Sequence, residues 1–312
     1  MALLLALFAL GGCSLPSLRP DAGPEVEIAV EPPVPEVSVT PLERTPLPAE
    51  LPPVAIVLTN SQPAYADVAM ELTRHFTRHE IYDLSRSGRP PVAILRSIND
   101  SESGAVIAIG LRASQSAVAI SDKPVVFSQV FNYAEHDLLR ERSRGVSALA
   151  PLDAQLAAWK RIDPTIARVG VIVGEGHEQL IVDARSAAEK HGIELRVQIT
   201  GSDQETLYFF RRMIRDIDGF WLLPDNRVLS PRALQEMLGE ARRQQVPVNV
   251  PSESMLQLGA VVSMSTVASD IARTIADIVR RIQSGGLSGI PPITQLSEIR
   301  VVTNDTTQVV ER

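Results

Sequence analysis

RVGVIVGEGHEQLIVDARSAAEKHGIELRVQI, residues 168–199, is the stretch whose reading decides the fold. RVGVIVG (168–174) is a short β-branched run that ends in a glycine, the pattern of a buried strand. DARSAAEKHG (183–192) reads as a helix that stops at a glycine, and IELRVQI (193–199) reads as a strand again. Strand, helix and strand in succession form a crossover unit, which pairs the two strands in parallel. Parallel strands carry helices on both faces, so they become nearly continuous apolar runs rather than alternating ones.

The same alternation extends in both directions. Upstream, VAIVLTN (54–60), GAVIAIG (104–110) and PVVFSQV (124–130) read as strands, and AYADVAMELTRHF (64–76) and LRASQSAVAI (111–120) as helices. PLDAQLAAWKRI (151–162) is a helix with Pro151 near its first turn. Downstream come the helix ETLYFFRRMI (205–214), the strand DGFWLLP (218–224) and the helix SPRALQEMLGEARRQQ (230–245). PVNV (247–250) and GAVVSM (259–264) are short strands, and SDIARTIADIVRRIQSGG (269–286) is a long amphipathic helix. A polar break at Glu135–Ser147 divides the pattern in two. The expected fold is therefore α/β, with two doubly wound parallel-sheet lobes joined by a hinge. The lobes are expected at 54–142 and 143–264, with 265–312 supplying a helix and strand that pack across both. Ligands in such sheets sit beyond the carboxyl ends of the strands, and two facing lobes enclose them in a shared cleft that closes about the hinge.

Four segments, in order, resemble the substrate-binding proteins of ABC transporters, in the group to which tryptophan and tyrosine binders belong. They are AIGLRASQSA (108–117) followed by KPVVFSQV (123–130), RGVSALAPLDAQLAAWKRIDPTIARVGVIV (144–173), PDNRVLS (224–230) and SESMLQLGAVVS (252–263). The resemblance covers roughly residues 54–302 and implies a periplasmic binding protein-like fold of type I. It implies a small solute, such as an amino acid, held in the interlobe cleft and passed to an ABC permease. Carried over residue by residue, it places Asn60, Ser61, Arg112, Ala113, Ser114, Ser128 and Gln129 on the first-lobe side. His177, Glu178, Asp225, Asn226 and Glu253 stand on the second-lobe side. A helix N-terminus with free N–H groups suits a carboxylate, and Asp225 suits an ammonium. Asp225-Asn226 also fits a plain turn before a helix start, and Glu253 a loop cap.

The sequence departs from the family pattern in the cleft itself. Leu111-Arg112 replaces Thr-Pro, His177-Glu178 replaces Asn-Ser, and Arg227 replaces Thr after Asp225-Asn226. The tyrosine expected near TVASD (266–270) is missing, and with 4% aromatic residues few rings remain nearby beyond Tyr65, Phe131 and Tyr133. Either the solute differs or the solute site is lost. In the second case the fold serves as a protein-interaction or regulatory module, for example an activator of a cell-wall synthase.

The N-terminus carries a second resemblance. Ala2–Leu10 is an unbroken apolar run, too short for a membrane span but of signal-peptide length. Leu10-Gly11-Gly12-Cys13 then resembles the lipobox of bacterial lipoproteins, which implies removal of residues 1–12 and lipid on Cys13, the only cysteine in the chain. No Lys or Arg precedes the run, and Ser14 is not the aspartate that retains such lipoproteins in an inner membrane. Residues 14–53 hold eleven of the 23 prolines and more acidic than basic residues, the composition of an extended tether. The expected place is the cell envelope, anchored by lipid and facing the periplasm or the exterior. An outer membrane is favoured where there are two.

Composition excludes other classes. The net charge of −7 offers no footprint for nucleic acid, and the three lysines against 27 arginines form no cluster for an anionic membrane surface. One cysteine permits no intrachain disulfide. No cofactor and no catalysis are expected, because no G-x-S-x-G elbow, Walker loop or full dinucleotide fingerprint occurs. His75 and His79 lie four apart on the helix expected there, but HFTRH lacks the glutamate of the HExxH zinc proteases.

Overall fold

The computed structural model describes residues 52–304 except Asn226, with the backbone of a strand at 307–308. The signal peptide, Cys13 and all but the last two residues of the tether expected at 14–53 lie outside the described residues, as does Asn226.

The first lobe runs β1 (Val54–Leu58), α1 (Pro63–Thr73), β2 (His79–Asp83), α2 (Pro91–Asn99), β3 (Ala105–Ile109), α3 (Leu111–Ile120), β4 (Val125–Ser128) and β5 (Ser143–Val146). The second runs α4 (Leu152–Ile162), β6 (Arg168–Val173), α5 (Glu178–Lys190), β7 (Glu194–Ile199), α6 (Asp203–Met213), β8 (Gly219–Leu222), α7 (Pro231–Arg243), β9 (Val248–Val250) and β10 (Val262–Ser265). The chain then returns as α8 (Ala268–Gly285), β11 (Ile293–Thr294), β12 (Arg300–Thr303) and β13 (Thr307–Gln308).

The first sheet has the order β11-β5-β4-β3-β1-β2, parallel throughout. The second is ordered β13-β12-β10-β9-β8-β6-β7, parallel except for the antiparallel pairs β10–β12 and β12–β13. Alternate residues of each central strand feed opposite faces, which explains the continuous apolar runs. Val54, Ile56 and Leu58 meet α1 and α8, while Ala55 and Val57 meet α2 and α3. In the second lobe Val169, Val171 and Val173 face α4 and α5, while Ile172, Phe220 and Leu222 face α6 and α7.

Three expectations are corrected. The first lobe continues past 142, because β5 pairs in parallel with β4; the supposed polar break contains a strand. Arg144 carries the polarity there, donating to the carbonyls of Leu287 and Ile290, both at 2.9 Å, and so holding the returning chain against β5. β2 and α2 were not anticipated. His75 and His79 share no helix: α1 stops at Thr73 and His79 opens β2, its Nδ1 2.8 Å from the Phe76 carbonyl oxygen.

The C-terminal segment divides between the lobes. α8 buries Ile271, Ile275, Ile278, Val279 and Ile282 against the first sheet, β11 extends that sheet, and β12 joins the second. The chain therefore passes between lobes three times: after β5, after β10 and after β11. Among the described residues no helix is long and apolar enough to cross a membrane.

Candidate functional site

The carboxyl ends of β4, β6 and β8 bring one polar cluster together across the two lobes. Its centre is Asp225, just past β8, with a side chain only 1% exposed. A buried carboxylate must be paired or richly hydrogen-bonded. The Gly174 amide donates to Asp225 Oδ2 at 2.9 Å. Arg227 grips both oxygens, Nε to Oδ1 at 2.9 Å and Nη2 to Oδ2 at 2.9 Å, and its amide reaches Oδ1 at 3.2 Å. From the first lobe, Asn132 Nδ2 donates to Oδ1 at 3.1 Å.

His177 completes the cluster. Its Nε2 is 3.0 Å from Asn132 Oδ1 and 3.5 Å from Asp225 Oδ2, so both neighbours are acceptors and Nε2 carries the proton. The ring also lies on Phe131 of the first lobe, with centroids 4.6 Å apart. A second charge link crosses the cleft, from Arg227 Nη1 to Glu135 of the β4–β5 loop. Burial pushes the Asp225 carboxyl up, but hydrogen bonds from His177, the Gly174 amide, Asn132 and the Arg227 amide outweigh it. The net shift is below the usual carboxylate value. Ionised Asp225 thus contributes stability in full above the unfolded carboxyl pKa, and the contribution is lost as pH falls through the depressed folded value.

Gly174 is required by close approach. A Cβ there would lie 2.8 Å from Arg227 Nη2 and 2.9 Å from Asp225 Oδ2. The backbone just past β6 therefore comes as near to the ion pair as it can only without a side chain.

Of the residues expected to line the cleft, Asp225 and His177 stand in this cluster. The other described ones do not join it by any hydrogen bond or ion pair, and Asn226 lies outside the described residues. Asn60 Oδ1 accepts from the Gln62 amide at 3.0 Å, and Ser61 bonds to Asp83, so both serve the turn after β1. Arg112 is exposed in the first turn of α3, whereas Ala113 is packed in the first-lobe core. The Ser114 hydroxyl donates to the Gly110 carbonyl at 2.8 Å and is spent on its own helix. Glu178 is exposed at the start of α5. Glu253 pairs with Arg300 at 2.5 Å and ties the turn after β9 to β12.

Ser128 and Gln129 are different. Ser128 Oγ is buried without a hydrogen-bond partner among the described residues, at the end of β4. Gln129 takes a left-handed backbone with φ of 60°, which turns the chain toward Phe131 and Asn132. Beside them Thr59 Oγ1 accepts from the Ala113 amide at 3.1 Å, satisfying one free donor of α3.

Asn132 and Glu135 were not anticipated as site residues. The one signal was the polar stretch after FSQV, which marks a loop at the carboxyl end of a parallel strand. Among the described residues no group of three His, Cys, Asp or Glu is placed to hold a metal ion.

Comparison with known proteins follows the same lines. A curated tyrosine-binding protein of Clostridioides difficile is 21% identical over 212 residues, which is 65% of this chain and 61% of that protein. The chain thus spans less than two thirds of that relative's length. A conserved domain protein of Vibrio cholerae matches in structure with a TM-score of 0.56 at 21% identity, over 84% of this chain and 96% of that one. An ABC domain in complex with L-Trp from Streptococcus pneumonia matches with a TM-score of 0.55 at 15% identity, over 81% and 92% of the two chains. Both likenesses are of fold, and both agree with the two-lobed α/β architecture. The family model of the ABC transporter substrate binding protein matches residues 85–309, well over half of the chain, which therefore belongs to that family.

Proposed function

We propose that the chain is a lipid-anchored receptor that binds a small zwitterionic solute, an amino acid or a near relative, between its lobes and delivers it to an ABC permease. The observation that carries this reading is the ionised, buried Asp225, approached by donors from both lobes. A carboxylate so placed is a counter-ion for an ammonium group, and it gains from lobe closure because both lobes contact it. Family membership and the tyrosine-binding relative support the amino-acid class. Calorimetry of the purified chain against the common amino acids is expected to find a binder, and Asp225→Ala to lower its affinity at least about 100-fold. Absence of binding by any amino acid would overturn the solute class.

Lipid on Cys13 belongs to the same proposal, with residues 14–53 as the tether and the envelope as the location. Cys13→Ala is expected to abolish incorporation of labelled palmitate and to move the protein from the membrane to the soluble fraction. Retention at the membrane would overturn the anchor.

A second reading is favoured by one observation: Arg227 already engages both oxygens of Asp225. Under it the lobes serve as a contact surface for another envelope protein, and the solute site is lost. Recovery of the same cell-wall enzyme with the chain, together with silence in calorimetry, is the outcome that selects it.

A further inference from the structure

The cleft contains a cation of its own. Arg227 stands two residues from Asp225 and takes both carboxylate oxygens, at 2.9 Å each, in the side-on geometry of a bidentate pair. Its remaining terminal nitrogen reaches Glu135, on the β4–β5 loop of the first lobe. The backbone is built around this arrangement, because a side chain at Gly174 would strike both Arg227 and Asp225. Asn132 and His177 close the same ring of contacts from either side.

We infer that Arg227 is the selectivity element of this cleft: its guanidinium takes the place of a solute's ammonium group against Asp225 and, through Glu135, ties the two lobes together. The inference rests on the reading of Asp225 as the ammonium anchor. A group tethered two residues away competes at high effective concentration and gives up little freedom on pairing. A solute must displace it, so its apparent affinity falls by the fraction of chains in which Asp225 is not already paired. Weak cationic groups are turned away. A solute is admitted when the rest of it makes contacts that offset the lost guanidinium pair. Its own anionic group could then meet the released Arg227, which makes a zwitterion a better competitor than a simple amine.

Interlobe distances measured with spin labels test this on the full chain. Cys13→Ser removes the native thiol, and Val92→Cys on α2 with Val182→Cys on α5 places one label on each lobe, both at exposed positions. The unsubstituted cleft is expected to give one narrow distance distribution, and Arg227→Ala and Glu135→Ala broader, longer ones. Millimolar methylguanidinium, the probe, is expected to restore the narrow distribution in Arg227→Ala. It should leave Asp225→Asn/Arg227→Ala unchanged. Ethylammonium is expected to bind Arg227→Ala at least about ten-fold more tightly than the parent chain.

A distribution unchanged in both Arg227→Ala and Glu135→Ala overturns the inference. So does restoration by methylguanidinium in the double variant, since the probe would then act elsewhere. Should Arg227→Ala fail to fold, Glu135→Ala leaves Asp225 paired and still reports the link between lobes. These readouts need no solute, so a failure of amino-acid binding counts against the solute class alone.

Discussion

Trp159→Ala is expected to cost about 3–5 kcal/mol of stability, the usual range for removing a fully buried aromatic residue. Trp159 is 1% exposed on the inner face of α4, among Leu156, Ile166, Val169 and Trp221. Its ring lies directly over Gly219 of β8, where a Cβ would come within 2.6 Å of Trp159 Cζ2 and 2.8 Å of Ile166 Cδ1. Gly219→Ala alone is accordingly expected to overpack the site and cost about 1–3 kcal/mol. The double variant should be more stable than the sum of the two, because the added methyl enters the space the ring leaves; a coupling of about 1 kcal/mol or more is expected. Urea unfolding of the four chains measures this, and strict additivity would mean that the two residues do not share one packing site.

Asp270→Ala is expected to cost about 2–4 kcal/mol, for a polar rather than an apolar reason. The carboxylate sits in the first turn of α8, 1% exposed, and accepts from the amides of Ser297 and Glu298, each at 2.8 Å. Ser297 Oγ donates at 3.0 Å, and Arg273 pairs with the same group. Alanine leaves two amides without their acceptor at the point where the chain passes from β11 to β12. Arg273, 45% exposed, recovers water and contributes little to the loss. Asp270→Asn keeps one acceptor oxygen and should fall between. Equal unfolding midpoints for alanine and the parent would show that those amides find other partners.

The sequence disclosed the architecture wherever a strand is buried on both faces. Val54–Leu58, Ala105–Ile109 and Arg168–Val173 are apolar runs because helices cover both sides, and Val125–Ser128 and Gly219–Leu222 are shorter cases of the same pattern. HEIYD at 79–83 escaped because it is the edge strand: Glu80 and Ile81 point to opposite faces and are both exposed, so neither face carries an apolar run. SRGV at 143–146 escaped because Arg144 is polar for the sake of two carbonyls about 145 residues away, a requirement no local window contains. The site was legible to the same extent. Asp225 and His177 sit at strand ends where the fold puts ligands, and the family resemblance marked them. Asn132 and Glu135 matter only because the β4–β5 loop crosses to the other lobe. That Arg227 meets Asp225 side-on follows from side-chain direction rather than from spacing.

The threefold passage between lobes has a consequence for synthesis. The sheet made first is covered on one face by α1 alone until α8 and β11 emerge, since Ile271, Ile275, Val279 and Ile282 complete its covering. Roughly 150 residues separate β5 from the end of β11, and at ~5–20 residues per second a ribosome needs on the order of ten seconds to supply them. Throughout that interval the half encoded first keeps part of one apolar side uncovered and is unable to finish, while the half encoded second is being built. A premature stop near the end of the gene would therefore damage the beginning of the protein, and gene order makes the earliest lobe the last to become secure.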